Sequence, residues 1–150
     1  MSKLIISVIL LGLISCVSNK GPEETLRSFV NNRFVSEVDK EDFKKFFAGE
    51  LLSELEGMDE EAIKAFNSVK GQKKKSFKVN FKRCSDDKCF LTYTLVYDTT
   101  AQALDKQENE RSSGVTVKVK KIAELRKIEQ SWKIFGISDI KTLYDYKSLQ

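Results

Sequence analysis

Tyr93, Tyr97 and Lys121 are the side chains of this sequence best suited to do chemistry. A buried lysine with a depressed pKa acts as a base or nucleophile, and a tyrosine beside it carries a hydroxyl that can hydrogen-bond a reacting group. The same three residues have a plainer reading, as two core aromatics with hydrogen-bonded hydroxyls and a lysine whose ammonium reaches the rim. No other set of residues forms a catalytic constellation. The chain has no histidine, which removes histidine-dependent triads and dyads and the commonest zinc, copper and non-haem iron sites. It has no Gly-rich phosphate loop, no GxSxG, and no carboxylates at metal-ligand spacing. The expectation is a non-catalytic binding or interaction module without metal or cofactor; the alternatives are a small-molecule enzyme using Tyr93, Tyr97 and Lys121 and a purely structural or surface protein.

A fourth reactive residue, Cys16, sits in a distinctive context. Lys3 precedes an apolar run from Leu4 to Ile14. A membrane-spanning helix needs roughly 20 apolar residues, so this run is too short for one; it has the n-region and h-region of a secretory signal. The run ends in Leu13-Ile14-Ser15-Cys16, which resembles the bacterial lipobox. That resemblance implies cleavage before Cys16, a diacylglyceryl group on its sulfur, and acylation of the new amine. Several acyl chains, at ~0.8 kcal/mol per buried methylene, would hold the protein on a membrane permanently. The chain then divides into a signal peptide (1–15), the lipidated Cys16 with a polar tether (16–21), and one domain (22–150). Val17, where inner-membrane lipoproteins of Gram-negative bacteria carry aspartate, points to the outer membrane in such a bacterium, on its periplasmic or surface side.

Cys84 and Cys89 flank a turn-like Ser85-Asp86-Asp87-Lys88 between two strand-like runs. The spacing is not CxxC, and too few other ligands exist for a metal site. Outside the cytoplasm the expected outcome is a structural disulfide pinning a hairpin.

Positioning these residues falls to helices first and strands second. Pro22 suits a first helical turn, with Glu23 and Glu24 at its positive end and Leu26, Phe29, Val30 and Phe34 at helical spacing. Asp39 and Asp59 are expected N-caps, the first leading into Phe43, Phe46 and Phe47, the second into Ala62, Ile63, Phe66 and Val69. Gly49 interrupts between them, Leu51, Leu52 and Leu55 make a short turn or helix, and Gly71 marks the exit. Phe77, Val79 and Phe81 then alternate with polar residues as in a half-buried strand. Phe90–Tyr97 is apolar on both faces, 105–113 reads as loop, and a third strand starts at Val115. Glu129-Gln130-Ser131 is a tight turn, and Trp132–Ile137 returns with its indole expected in the core. One conflict is visible. If Cys84 lies opposite Cys89, Phe81 falls opposite Thr92 and the apolar rows are out of step by one residue. A β-bulge near Arg83-Cys84 resolves this, as would partial cover on both sheet faces.

Helices followed by strands imply an α+β fold, with N-terminal helices on one face of a curved, mainly four-stranded antiparallel sheet. The helical start Pro22-Glu-Glu-Thr-Leu-Arg-Ser-Phe29, three helices, a strand block and a terminal Trp132-Lys-Ile134 strand resemble the nuclear-transport-factor-2-like (cystatin-like) cone, and small bacterial lipoproteins of that superfamily. The resemblance covers about residues 22–141. It implies a concave pocket; the Asp–His pair of the superfamily's enzymes has no counterpart here, whereas the tyrosine-plus-aspartate pattern of its isomerases is open to Tyr93 and Tyr97.

Net charge near +4 hides an asymmetry: residues 22–69 hold 6 basic and 12 acidic side chains, residues 70–150 hold 18 and 10. If Lys78, Lys82, Lys118 and Lys120 project from the open sheet face, they form a cationic stripe beside Lys70, Lys73, Lys74 and Lys75. Such a stripe suits an anionic surface or an acidic envelope protein. It also suits a solvated sheet face, with Lys73–Lys75 as a turn. Nucleic acid is not an expected partner, because stacking aromatics are not interleaved with the lysines.

Overall fold

The computed structural model describes residues 20–100 and 114–146. The chain runs through α1 (Pro22–Val35), α2 (Lys40–Phe46), α3 (Gly49–Glu56) and α4 (Glu60–Phe66), then β1 (Lys73–Cys84), β2 (Lys88–Thr100), β3 (Gly114–Ile128) and β4 (Ser131–Tyr146). It is an α+β fold, with the strands in one antiparallel sheet of order β1-β2-β3-β4.

Local chemistry explains the helix boundaries. Pro22 fills the first turn of α1 with Glu23 and Glu24 beside it, where fixed φ and negative charge both favour a helix start. The Asp39 carboxylate accepts the Asp42 N–H at 2.7 Å and Asp42 reaches back to the Asp39 N–H, a capping box at the head of α2. Asp59 caps α4 through the Ala62 N–H at 2.8 Å. Rather than merely interrupting, Gly49 opens α3. Its φ is +68° and the Phe135 ring lies where a Cβ would stand, so only glycine fits without strain. Asn67 joins α4 to the α1–α2 connection, accepting from the Val38 N–H at 2.9 Å and donating to the Val38 carbonyl at 3.0 Å.

The strands extend beyond the sequence expectation at both ends of the sheet. Lys73–Lys75 belongs to β1, not to a turn, and β4 continues past Ile137 to Tyr146. The β3–β4 turn is made by Glu129, at φ 54°, and Gln130. The anticipated β-bulge exists but lies deeper than Arg83-Cys84. The β1–β2 register shifts between Val79 and Phe81, leaving Asn80 as the extra residue, and again between Lys74 and Ser76. Beyond Asn80 the faces of β1 exchange. Phe77 and Val79 sit opposite Leu95 and Tyr93, whereas Phe81 sits opposite Thr92 and is 61% exposed. The 105–113 loop lies outside the described residues.

One hydrophobic cluster joins helices and strands. Leu26, Phe29 and Val30 from α1, Phe43 from α2 and Leu55 from α3 are buried with Leu91, Tyr93, Leu95, Val115, Val117, Val119, Ala123, Leu125 and Ile134. Burial alternates along β2 and β3, so their odd-numbered residues face this core, joined by Ile134 of β4 opposite Leu125. Ring contacts tie it together, with Phe29 edge-on to Phe47 at 4.7 Å and Phe43 edge-on to Phe66 at 5.3 Å. Trp132 falls short of its expected burial: it is half-buried at the margin of this cluster.

Candidate functional site

A cavity of about 420 Å³ is lined by residues of α1, α3, α4, β2, β3 and β4. Its walls are mainly aromatic and aliphatic, Phe29, Phe34, Phe47 and Leu51 among them. Tyr93, Tyr97 and Lys121 all line it, because positions 93, 97 and 121 share the buried face of the sheet and Lys121 lies directly opposite Tyr93. Tyr93 packs its ring 5.3 Å from Phe77, and Tyr97 packs 5.6 Å from Phe34. Burial pushes both phenols above their ordinary pKa, Tyr93 far above it, against the opposing pull of the Arg33 cation. Both therefore stay protonated at neutral pH and act as hydrogen-bond donors.

Lys121 is an ion-pair partner in this arrangement. Its ammonium lies 2.7 Å from the Asp139 carboxylate, its cross-strand neighbour on β4. The pair ties the ammonium to β4 at the edge of the cavity, with the Lys121 side chain 24% exposed and the Asp139 side chain mostly in solvent.

The residue that sequence reasoning missed is Arg33. It lines the cavity from α1, mostly buried, with its guanidinium 4.5 Å from the Phe66 ring centre and 5.9 Å from that of Phe29. One Nη donates to the Phe66 carbonyl at 2.7 Å, while the buried Nε has no acceptor among the described residues. Burial lowers its pKa, partly offset by Tyr93 and Tyr97, yet an arginine keeps its charge at any neutral pH. The signal was present in the sequence. Position 33 follows Phe29 by four residues and Val30 by three, placing an arginine within the apolar stripe of α1.

The opposite face of the sheet carries a different set. Lys78, Thr94, Lys120 and Lys141 form one cross-strand row, and Lys118 projects beside it opposite Val96 and Leu143. Lys78, Lys118, Lys120 and Lys141 are exposed, and no carboxylate among the described residues pairs with them. Lys82 is not part of this row. Past the Asn80 bulge it stands opposite Leu91, on the other face, so the four-lysine stripe expected from parity is corrected to Lys78, Lys118 and Lys120, with Lys141 added from β4. Three of the neighbouring lysines are engaged: Lys70 with Glu37, Lys75 with Asp98, both at 2.8 Å, and Lys74 with the Asn31 side chain.

Cys84 and Cys89 are joined by a disulfide as cross-strand partners at the β1–β2 hairpin end. The turn they enclose is held by the Ser85 N–H donating to the Lys88 carbonyl at 2.7 Å, and by the Lys127 N–H donating to the Asp87 carbonyl at 2.7 Å. Cys16 lies outside the described residues. Among the described residues there is no helix long and apolar enough to cross a membrane, and no cluster of metal-ligating side chains.

No family model matches the chain, and no curated protein matches it. Among solved structures it is similar to the crystal structure of the intermembrane space region of the chloroplast protein ARC6. The two share a TM-score of 0.56 and 13% identity over 79% of this chain and 92% of that one. At that identity the likeness is one of fold.

Proposed function

We propose that the protein is an exported bacterial envelope lipoprotein, anchored through acyl chains on Cys16, whose domain is a non-catalytic binding module. In this reading the helices lie on one face of a curved sheet, as in the nuclear-transport-factor-2-like cone, and the space they enclose is the ligand site. The observation that carries the reading is the 420 Å³ cavity lined by both layers. Binding sites are typically concave, mostly apolar and furnished with a few polar groups, and this cavity has Tyr93, Tyr97, Lys121 and Arg33 against phenylalanine walls. All four side chains carry N–H or O–H donors, which suits holding a molecule.

The test is binding of the neutral fluorescent probe N-phenyl-1-naphthylamine to the full chain in nanodiscs, with empty nanodiscs as the blank. Saturable binding to wild type, lost on filling the cavity with Leu51→Trp, is the expected result; absence of saturable binding to wild type overturns the reading. The anchor has its own check. Globomycin should accumulate an uncleaved precursor, and unchanged migration would refute lipidation at Cys16.

The lysine row supports a second contact, with an anionic membrane surface or an acidic envelope protein. Lys120 stands directly opposite Lys141, and like charges so placed oppose sheet formation. A face that holds them together suits a negatively charged partner. Recovery of the same proteins from envelope extracts by wild type and by a Lys78→Gln, Lys118→Gln, Lys120→Gln variant would count against the protein partner.

A further inference from the structure

Two cations among the described residues line the cavity, and only one of them has a carboxylate among those residues. Lys121 is neutralised by Asp139 at 2.7 Å. Among the described residues Arg33 has one hydrogen bond, to the Phe66 carbonyl, and two phenylalanine rings. No carboxylate among the described residues lies within ion-pair distance of it, and its buried Nε is unpartnered. A charge withdrawn from water is costly unless it is paired and hydrogen-bonded. A methionine of similar length would pack against Phe29 and Phe66 without that cost, so arginine at this place needs a reason beyond packing.

Ligand chemistry supplies the reason. A guanidinium is a planar fork of five N–H donors that matches the two oxygens of a carboxylate. The other polar groups on the lining, the protonated phenols of Tyr93 and Tyr97, are also able to donate. The walls are apolar, which suits a hydrocarbon or aromatic body. A single unpaired cation balances one negative charge; a doubly charged phosphate would leave the second unanswered in an apolar site.

We infer that the cavity binds an apolar monocarboxylate, its body among the phenylalanines and its carboxylate against the Arg33 guanidinium. This rests on the binding-module reading and names the ligand class for that same site. Arg33 is the specificity-determining residue, and Lys121 is not, because Asp139 already neutralises it.

The experiment titrates decanoate and decan-1-ol, which share a chain and differ in head-group charge, into the full chain in nanodiscs, with empty nanodiscs as the blank. Calorimetry should give at least about tenfold tighter binding of decanoate, the factor one charge-assisted hydrogen bond of ordinary strength supplies. Arg33→Met should lose that preference while still binding N-phenyl-1-naphthylamine, which also shows that the variant is folded. Should Arg33→Met fail to fold, Arg33→Lys takes its place, and the preference should fall several-fold as the planar fork is lost. Equal binding of acid and alcohol overturns the inference and leaves the pocket reading standing. So does binding of the neutral probe with neither decyl compound, and so does a preference that survives either substitution unchanged. If not even the neutral probe enters wild type, both readings fall together.

Discussion

The cavity and the opposite face of the sheet hold cations under opposite conditions. On the cavity side Lys121 and Arg33 stand among buried aromatics, where the first has a carboxylate at 2.7 Å and the second a carbonyl, two rings and an idle Nε. On the outer side Lys78, Lys118, Lys120 and Lys141 are exposed to solvent without ion pairs among the described residues. Water screens exposed charges within ~10 Å at ordinary salt, so the outer lysines are nearly free to keep. A buried cation has no such screening. One arginine in a costly place therefore says more about function than several lysines in a cheap one, although the lysines dominate the composition.

The sharpest way to break this comparison is through its hydrophobic half. Leu91 is fully buried on the cavity-side face and its chain neighbour Thr92 points the other way. Leu91→Ala should cost about 3 kcal/mol in urea denaturation, by lost transfer energy and the void left behind, and Thr92→Ala within about 0.5 kcal/mol. Equal losses would mean that the outer face is covered as well. Next in size is the disulfide that pins the hairpin end. Replacing both Cys84 and Cys89 by serine should remove about 2 kcal/mol, as expected for so short a loop. Thiol labelling of both cysteines without reductant would show that the bond is not formed.

How much of this was legible depended on whether a signal was local. Asp39 and Asp59 announce α2 and α4 because an N-cap acts on the next three residues only. Tyr93, Tyr97 and Lys121 could be placed on one face from parity within unbroken strands. Lys82 could not, because a bulge is decided by the pairing of two strands, and Phe77, Val79 and Phe81 alternate straight through Asn80. The conflict with a Cys84–Cys89 pair showed that a bulge was needed but not where. The Asn80 amide, which donates to the Thr94 hydroxyl at 2.7 Å, shows what occupies the place. Past Ile137, exposure on both faces of β4 leaves no periodicity to read. Arg33 was legible by position and overlooked as a charge, since a helix stripe is usually traced through its apolar members.

A smaller effect separates the paired cation from its surroundings. Asp139→Asn leaves Lys121, whose side chain is only 24% exposed, without a counter-charge. Because Asp139 itself is mostly in solvent, the expected loss is about 0.5 kcal/mol, within the range of exposed ion pairs. Lys121→Met should make the two substitutions non-additive in a double-mutant cycle, with a coupling of that size and the opposite sign. Additive losses would mean that the pair contributes nothing.

The smallest effect belongs to the outer lysines, and its sign is informative. Lys120 and Lys141 are direct cross-strand neighbours, so Lys141→Gln removes a like-charge repulsion and no bond that the described residues show. Stability should rise by about 0.2–0.5 kcal/mol at low ionic strength, the size of a cross-strand charge pair. The gain should vanish near 1 M salt, where the screening length falls to about 3 Å. A loss of stability instead, insensitive to salt, would mean that the Lys141 stem covers apolar surface beside Leu143, and that this side of the sheet is held by packing as well as by solvent.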